Sequence, residues 1–308
     1  MKKEFFKNII LMSRPPFHIV GILPFLIGSL LAYRVQGMFR WPAFMLAVLG
    51  VIAIMLSTYY NGEYFDIKED RLSAKMGKNP FSGGSQVIAQ QKIPPKIALA
   101  ASYMSLFIAA VIGSVLQFVL NTGPWTIPLG IVGIFFGFFY SSPPFRWVSK
   151  GVGEIMIGLS YGWLPIAAAY YIQVQDILPL ASWISIPIGL SIFNVILINE
   201  FADYEADRLS KKRNLVVRVG RQRSQRLYLL AGVMAWSFLA VSVIMGAPIL
   251  SLYMSIPFFI ANIFSITQVL RQKYHSPRMQ AVLSGLTILT NIGISLSYLL
   301  GIAIGGVG

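Results

Sequence analysis

The stretch 63-EYFDIKEDRLSAK-75 returns 137 positions later as 200-EFADYEADRLSKK-212, and the reading of this pair decides what the chain is. The copies agree at Glu63/Glu200, Asp66/Asp203, Asp70/Asp207, Arg71/Arg208, Leu72/Leu209, Ser73/Ser210 and Lys75/Lys212. The whole chain holds 11 acidic residues, and eight of them fall in these two windows. Such a concentration asks for a chemical reason, and the surroundings of the windows supply it.

Those surroundings are apolar. Of the 308 residues 56% are hydrophobic and 12% charged, with a mean hydropathy of +0.68, whereas a soluble domain carries roughly 25% charge. Runs long enough to cross about 30 Å of hydrocarbon as helix occur at about 16–33, 42–60, 97–119, 125–141, 152–172, 181–199, 227–246, 248–269 and 282–304. The sequence therefore predicts an all-α polytopic membrane protein, a bundle of nine transmembrane helices. Lys and Arg fix its orientation, because they accumulate in short cytoplasmic loops. With the N-terminus in the cytoplasm, 23 of the 25 basic residues lie on the cytoplasmic side, and Arg34 and Arg40 face outward. Topology thus accounts for most of the net charge of +14, and nucleic acid is not an expected partner. With no Cys, disulfides, thiolate metal sites and a Cys nucleophile are excluded. His18 and His275 are solitary and make no His-based metal site.

The repeat reads as an internal duplication within one domain, 1–308, with halves at about 1–140 and 141–308. Each acidic window ends a helix, the second and the sixth, so both emerge on the Lys/Arg-rich face; membrane proteins built from repeats often place the site at the repeat interface. Within each window the aspartates are four apart, Asp66/Asp70 and Asp203/Asp207, and on a helix they share a face. Four facing carboxylates repel one another near hydrocarbon. Mg²⁺ resolves this, because it takes oxygen ligands and is typically held by one or two carboxylates together with substrate phosphates. Asn199, four residues before Asp203, adds a neutral oxygen on that face. Arg71, Lys75, Arg208, Lys212 and Arg213 nearby suit an anionic diphosphate. The competing reading pairs the acids with these same cations as solvated loop charges.

The second window, Asn199, Asp203 and Asp207 followed by KKRNLVVRVG, resembles the UbiA superfamily of intramembrane prenyltransferases, whose mark is two N-x-x-x-D-x-x-x-D motifs. The first window keeps Asp66 and Asp70 but puts Gly62 in the Asn position, with Asn61 one residue early, so Asn61 or Glu63 is left to supply the missing ligand. Arg14-Pro15 and YSSPPFRWVSKGVGE at 140–154 are similar to further family segments, and NPFSGGSQ at 79–86 is similar to a G-G-S segment of the naphthoate-prenylating branch. The resemblance implies nine helices around a central cavity capped by the motif loops. It implies two Mg²⁺ ions held by Asp66, Asp70, Asn199, Asp203 and Asp207, with Asn61 a candidate. It implies Arg14, Arg146 and the basic residues above as diphosphate contacts, and a catalytic set of Asp66, Asp203 and Tyr140, the Tyr lying near the reacting carbon.

Loss of the diphosphate leaves an allylic cation, which needs a dry cavity and aromatic faces that stabilise charge without attacking it. The expected enzyme is a Mg²⁺-dependent prenyltransferase of a prokaryotic cell membrane with its active site facing the cytoplasm. It would join a polyprenyl diphosphate, entering from the lipid bilayer, to an aromatic acceptor such as the quinone precursor 1,4-dihydroxy-2-naphthoate. Alternative acceptors are 4-hydroxybenzoate, geranylgeranylglyceryl phosphate, a chlorin or a haem. A solute transporter is the alternative of another class, and it would place its ionisable groups near the bilayer midplane.

Overall fold

The structure, a computed structural model, describes residues 2–77 and 79–306; Lys78, one of the loop cations counted above, lies outside the described residues. The fold is all-helical. Eight helical stretches are long and apolar enough to cross a membrane: α2 (Pro15–Gln36), α3 (Trp41–Phe65), α5 (Pro95–Ser114, continued by a π-helical turn to Val119), the pair α7 (Gly153–Tyr161) and α8 (Trp163–Val174), α9 (Pro179–Ser210), α11 (Arg221–Ile244), α12 (Ile249–Leu270) and α13 (Pro277–Gly305). A ninth, α6 (Thr126–Ser141), is shorter. Short helices α1 (Lys2–Met12), α4 (Ile67–Lys75) and α10 (Leu215–Val219) flank the bundle. The chain is an integral multi-pass membrane protein.

Helix starts follow local chemistry. Pro stands in the first turn of α2, α3, α5, α9 and α13, where its missing N–H is an orphan in any case. The predicted continuous helix at 152–172 is in fact two. It breaks at Gly162, where a Cβ would stand 2.8 Å from Gly189 Cα on α9. Pro165, which cannot donate to the Tyr161 carbonyl, disfavours a continuous helix here, and Gly162 lets the backbone of α9 come close.

The apolar core behind the acidic end packs Ile27 and Leu31 of α2 against Ile166 and Tyr170 of α8, Ile184 of α9 and Tyr298 of α13. Arg34 and Arg40, the two exceptions to the expected charge bias, both close helix ends. Arg34 donates from Nε to the Ile302 carbonyl at 2.9 Å and from Nη2 to that of Ala303 at 2.6 Å. Arg40 donates to the carbonyls of Leu120 and Asn121. A cation on the last carbonyls of a helix satisfies orphan acceptors and opposes the negative end of the dipole.

The two acidic windows adopt different backbones. In the first, α3 stops at Phe65 and the chain bends at Asp66 (φ −100°, ψ 16°) before α4 begins. In the second, α9 runs without interruption through Asp203 and Asp207 to Ser210. At 32 residues and 1.5 Å of rise each, α9 is about 48 Å long. It is therefore longer than the hydrocarbon is thick, and its acids lie toward its C-terminal end. Between α4 and α5, residues 79–94 are pinned by Val87, Ile88 and Ile93, buried against Met12, Tyr60 and Ala98.

Candidate functional site

The ends of α2, α3, α4, α6, α7 and α9 enclose a chamber of about 180 Å³. Asp66, Glu69, Asp70, Asp203 and Asp207 line it, along with Asn199, Glu200, Arg14, Lys212 and Tyr140. The four predicted aspartates thus meet at one place. Each is already engaged by the protein. Asp66 accepts from Ser141 Oγ at 2.7 Å and from Arg146 Nη2 at 3.3 Å. Asp203 accepts from Ser73 Oγ at 2.7 Å and from the Gly83 N–H at 3.0 Å. Asp207 accepts from Asn214 Nδ2 at 2.7 Å and faces Lys212 Nζ at 3.5 Å. Asp70 lies under Gly84, where any Cβ would collide with its carboxylate. Gly84 has φ +65°, so both backbone conformation and space require glycine there.

The electrostatics follow from burial and crowding. Desolvation first and the charge of Glu63 second push the Asp70 carboxyl well above the usual carboxylate range, although Arg14 pulls it back. Burial disfavours charge on Lys212, but Asp207, Asp66 and Asp203 outweigh it and raise its pKa well above the usual Lys value. Lys212 is therefore a fixed cation facing the chamber.

The residues present suit hard cations, because every candidate donor is an oxygen. Asn199 Oδ1 is buried, has no hydrogen-bond partner and belongs to the chamber wall, the pattern of a ligand atom lacking its ligand. Among the described residues no three carboxylates converge on a single point. Such spacing fits ions held by one or two carboxylates and completed by phosphate oxygens and water.

Several sequence-level candidates are placed elsewhere. Asn61 is fully buried, turns away from the chamber and donates to the Phe138 carbonyl of α6. Glu63 is also turned aside, to hold the glycine loop: its oxygens accept from the Ser85 N–H at 2.7 Å, Ser85 Oγ at 2.6 Å and Arg14 Nη2 at 3.1 Å. Asn61 Oδ1 is buried without a partner, as Asn199 Oδ1 is, but neither Asn61 nor Glu63 lines the chamber. Gly62 faces the chamber instead, with Ser141 Oγ beside it. Arg71, Lys75, Arg208 and Arg213 are exposed, and Arg208 pairs with Glu205 at 3.3 Å. Of the seven cations expected at a diphosphate, Arg14 and Lys212 line the chamber, and Arg146 reaches its edge through Asp66 and Glu69 (2.9 Å). Glu205, with Arg208 and Arg221 (3.4 Å), is a partly exposed charge cluster, as the competing reading had it.

Other participants had no counterpart in the motif reading. Ser73, Ser141 and Asn214 are small polar residues that gain meaning only from what folds against them. Their one legible signal was position, Ser73 inside the repeat and Asn214 in the KKRN segment. Tyr59 and Tyr161 join hydroxyls at 3.0 Å on the chamber wall. Thr58, Ile157 and Tyr161 belong also to a second cavity, about 140 Å³ and almost wholly apolar, that runs between α2, α3, α5, α6 and α8 to Leu116 and Ile172. An acid-rich chamber thus shares a wall with a greasy one.

Comparison with known proteins agrees with this layout. Residues 21–292 match the UbiA prenyltransferase family. The 2-carboxy-1,4-naphthoquinone phytyltransferase of Synechocystis is 26% identical over 237 residues, 75% of this chain and 72% of that protein. The 1,4-dihydroxy-2-naphthoate octaprenyltransferase of Bacillus subtilis is 25% identical over 240 residues, 77% and 73% of the two chains. A UbiA homologue from Archaeoglobus fulgidus bound to DMAPP and Mg²⁺ superposes with a TM-score of 0.66 over 94% of this chain and 99% of that one, at 13% identity. A structure of digeranylgeranylglyceryl phosphate synthase gives 0.66 over 98% and 99%, at 18% identity. A paired-aspartate chamber at the end of an apolar helix bundle and a family match over most of the chain lead to one conclusion: this protein belongs to the UbiA prenyltransferase family.

Proposed function

We propose that the chain moves a polyprenyl group from a prenyl diphosphate to an aromatic quinone precursor of the 1,4-dihydroxy-2-naphthoate type. The observation that carries this is the junction of the two cavities. Acids, Arg14 and Lys212 gather at one end, and an apolar space follows directly behind Tyr161. A molecule with a diphosphate head and a hydrocarbon tail has that polarity. Relatives sharing 25–26% identity and named for naphthoate substrates favour the acceptor class.

In this reading Asp66, Asp70, Asp203 and Asp207 with Asn199 hold Mg²⁺, two ions for two windows. Bound Mg²⁺ supplies Lewis acidity and neutralises charge on the departing diphosphate. Arg14 and Lys212 hold phosphate oxygens, and Arg146 steers Asp66. Tyr140, on the chamber wall, presents an aromatic face to the allylic carbon, while the apolar cavity keeps water from it. Glu63 and Ser85 tether the glycine loop, so Gly83 and Gly84 cover the acids and must shift when diphosphate enters. The chamber faces the cytoplasm, since 23 of 25 basic residues share its side in the nine-helix topology. The two windows and their helices come from the duplicated halves, about 1–140 and 141–308, of one domain. A transporter would hold its acids near the midplane; here they gather at the ends of helices.

The test is incubation of purified protein with Mg²⁺, labelled prenyl diphosphate and a panel of dihydroxynaphthoate, 4-hydroxybenzoate and glycerol-phosphate acceptors, with products identified by mass. Product with the naphthoate is expected. Product only with the glycerol phosphate overturns the acceptor class, and no diphosphate release with any acceptor overturns the reaction.

A further inference from the structure

Helix α1 plays no part in the chemistry above. Its 11 residues at 1.5 Å of rise each make about 17 Å, far too short to span a bilayer. Just past its end, Ser13 Oγ donates to the Ile10 carbonyl at 2.7 Å, and Arg14, in a left-handed conformation (φ 51°), turns the chain into α2. Arg14 lines the acidic chamber, so α1 lies at the chamber end of the bundle, where helices leave the hydrocarbon.

The two faces of α1 differ. Asn8 and Met12, one turn apart, are buried, and Met12 packs with Tyr60, Val87 and Ile88. Lys3, Phe6, Lys7 and Ile10 stand at i, i+3, i+4 and i+7 and share the opposite face. All four are exposed, Phe6 at 64% and Ile10 at 58%. In water such apolar exposure is costly. At the boundary between headgroups and acyl chains it is favourable: Phe and Ile enter the acyl layer, and Lys stems run along it to bring their ammonium groups to lipid phosphates. Two observations make lipid the occupant. Ile9 packs on the cluster that takes in Ile97 and Ala101 of α5, and one turn further along α5 Met104 and Phe107 are exposed apolar residues of a spanning helix, so the α1 surface continues the lipid-facing side of the bundle. Both charges on the outer face are positive, which complements an anionic headgroup layer.

We propose that α1 is an interfacial helix that docks on anionic phospholipid at the chamber end of the bundle, with Phe6 and Ile10 in the acyl boundary and Lys3 and Lys7 on lipid phosphates, and that this docking braces the glycine loop. The path to the loop is short. Val87 and Ile88, under Met12, follow Ser85 by two and three residues, and Tyr60 Oη donates to the Ile9 carbonyl at 3.4 Å. Two residues past Met12, Arg14 donates to Glu63 Oε1 at 3.1 Å, the same oxygen that accepts the Ser85 N–H at 2.7 Å. Gly83 and Gly84, next to Ser85, lie on Asp203 and Asp70. A helix tied to the membrane surface thus steadies one flank of the loop over the acids. The consequence for activity rests on the prenyl-transfer reading; the docking itself does not.

The chain has no Cys, so Ile10→Cys carries a single environment-sensitive bimane label. The labelled protein is reconstituted in vesicles of phosphatidylcholine, with or without phosphatidylglycerol, doped with phospholipid brominated on the acyl chain near the headgroup. Quenching by bromolipid is expected in both, more strongly with phosphatidylglycerol. Adding K3E/K7E is expected to weaken it most in phosphatidylglycerol, since each lysine near an anionic surface changes the docking constant by about fivefold. A label quenched by aqueous iodide and not by bromolipid overturns the docking. So does a label shielded from both, which places a protein partner or a second copy on this face. Quenching that K3E/K7E leaves unchanged overturns the role of anionic lipid. With Ile10 intact, kcat/KM for prenyl diphosphate is expected to fall on the order of fivefold from phosphatidylglycerol to phosphatidylcholine vesicles, the weight of one lysine contact, and K3E/K7E is expected to lose that dependence. Equal wild-type values in the two vesicles, or the same fall in K3E/K7E, overturn the link to the loop. If wild type shows no prenyl transfer in either, the function proposed above fails, and quenching alone still decides the docking.

Discussion

The two acidic windows share seven residues, yet they build their sides of the chamber differently. The second is a single uninterrupted helix, α9, whose aspartates project one turn apart and whose Asn199 oxygen is left without a partner. The first bends at Asp66, and what it lacks in Asn it replaces by neighbours: Gly62 leaves space, and Ser141 from α6 brings a hydroxyl to Asp66. The substitution exchanges an acceptor for a donor. The second window thus brings an unpartnered amide oxygen of its own to the chamber wall, and the first has Asp66 held by contacts from α6 and Arg146. A duplicated sequence need not give a symmetric site, because the elements packed around each copy differ.

The strongest test of the pairing removes one carboxylate from each side. Asp66→Ala and Asp203→Ala are each expected to lower Mg²⁺-dependent prenyl transfer by at least about 100-fold, the scale of losing a group that acts on developing charge. Full activity in either variant would show that the windows do not serve one diphosphate. The asymmetry itself predicts unequal asparagines. Asn199→Ala should weaken Mg²⁺ by about 10- to 100-fold in activity titrations. Asn61→Ala should leave the Mg²⁺ requirement unchanged and instead cost about 1–3 kcal/mol in thermal unfolding, because it empties a fully buried site and removes one of the two side-chain donors to the Phe138 carbonyl, leaving Ser142 Oγ. Equal Mg²⁺ shifts in the two would restore Asn61 as a ligand.

The glycine loop follows the first window in sequence but reaches both windows, Gly83 at Asp203 and Gly84 at Asp70. Gly84→Ala puts a methyl group against Asp70 in a left-handed backbone, and a loss in kcat/KM for prenyl diphosphate of about tenfold, or 1.4 kcal/mol, is expected. No change would mean that the loop stands clear of the substrate path. The smallest effect concerns stability. Asp70's folded pKa is raised above its unfolded value, by burial first and Glu63 second. Its contribution to stability is thus complete below the unfolded pKa and is lost as pH rises through the folded pKa. Asp70→Asn should flatten that decline and raise the Tm of metal-free protein by about 2–4 °C at neutral to alkaline pH, while abolishing transfer. A lower Tm across the whole pH range would contradict the crowded-carboxylate account.

How much of this was written in the chain depends on whether a feature is local. Membrane insertion, all-helical class and the end of the bundle where the acids gather follow from apolar run lengths and charge counts, which need no partner to be legible. The four aspartates, Asn199 and Lys212 were legible too, because helical periodicity and the repeat place them on one face. The break at Gly162 was only half legible, since Gly162 and Pro165 stand in the sequence but the close approach of Gly189 on another helix does not. Nor was the split among the cations. Arg14, Lys212 and Arg146 face the acids while Arg71, Lys75, Arg208 and Arg213 face solvent, and spacing along the chain says nothing about which side of a loop a long side chain takes. Tertiary packing alone decided that Asn61 and Glu63 serve α6 and the glycine loop, and that Glu154 and Glu200 accept from the N–H groups of Leu215 and Val216. The physical reason is the same in each case: a sequence period fixes the direction of a side chain relative to its own helix, but a buried polar atom is claimed by whichever donor or acceptor the packed bundle brings to it.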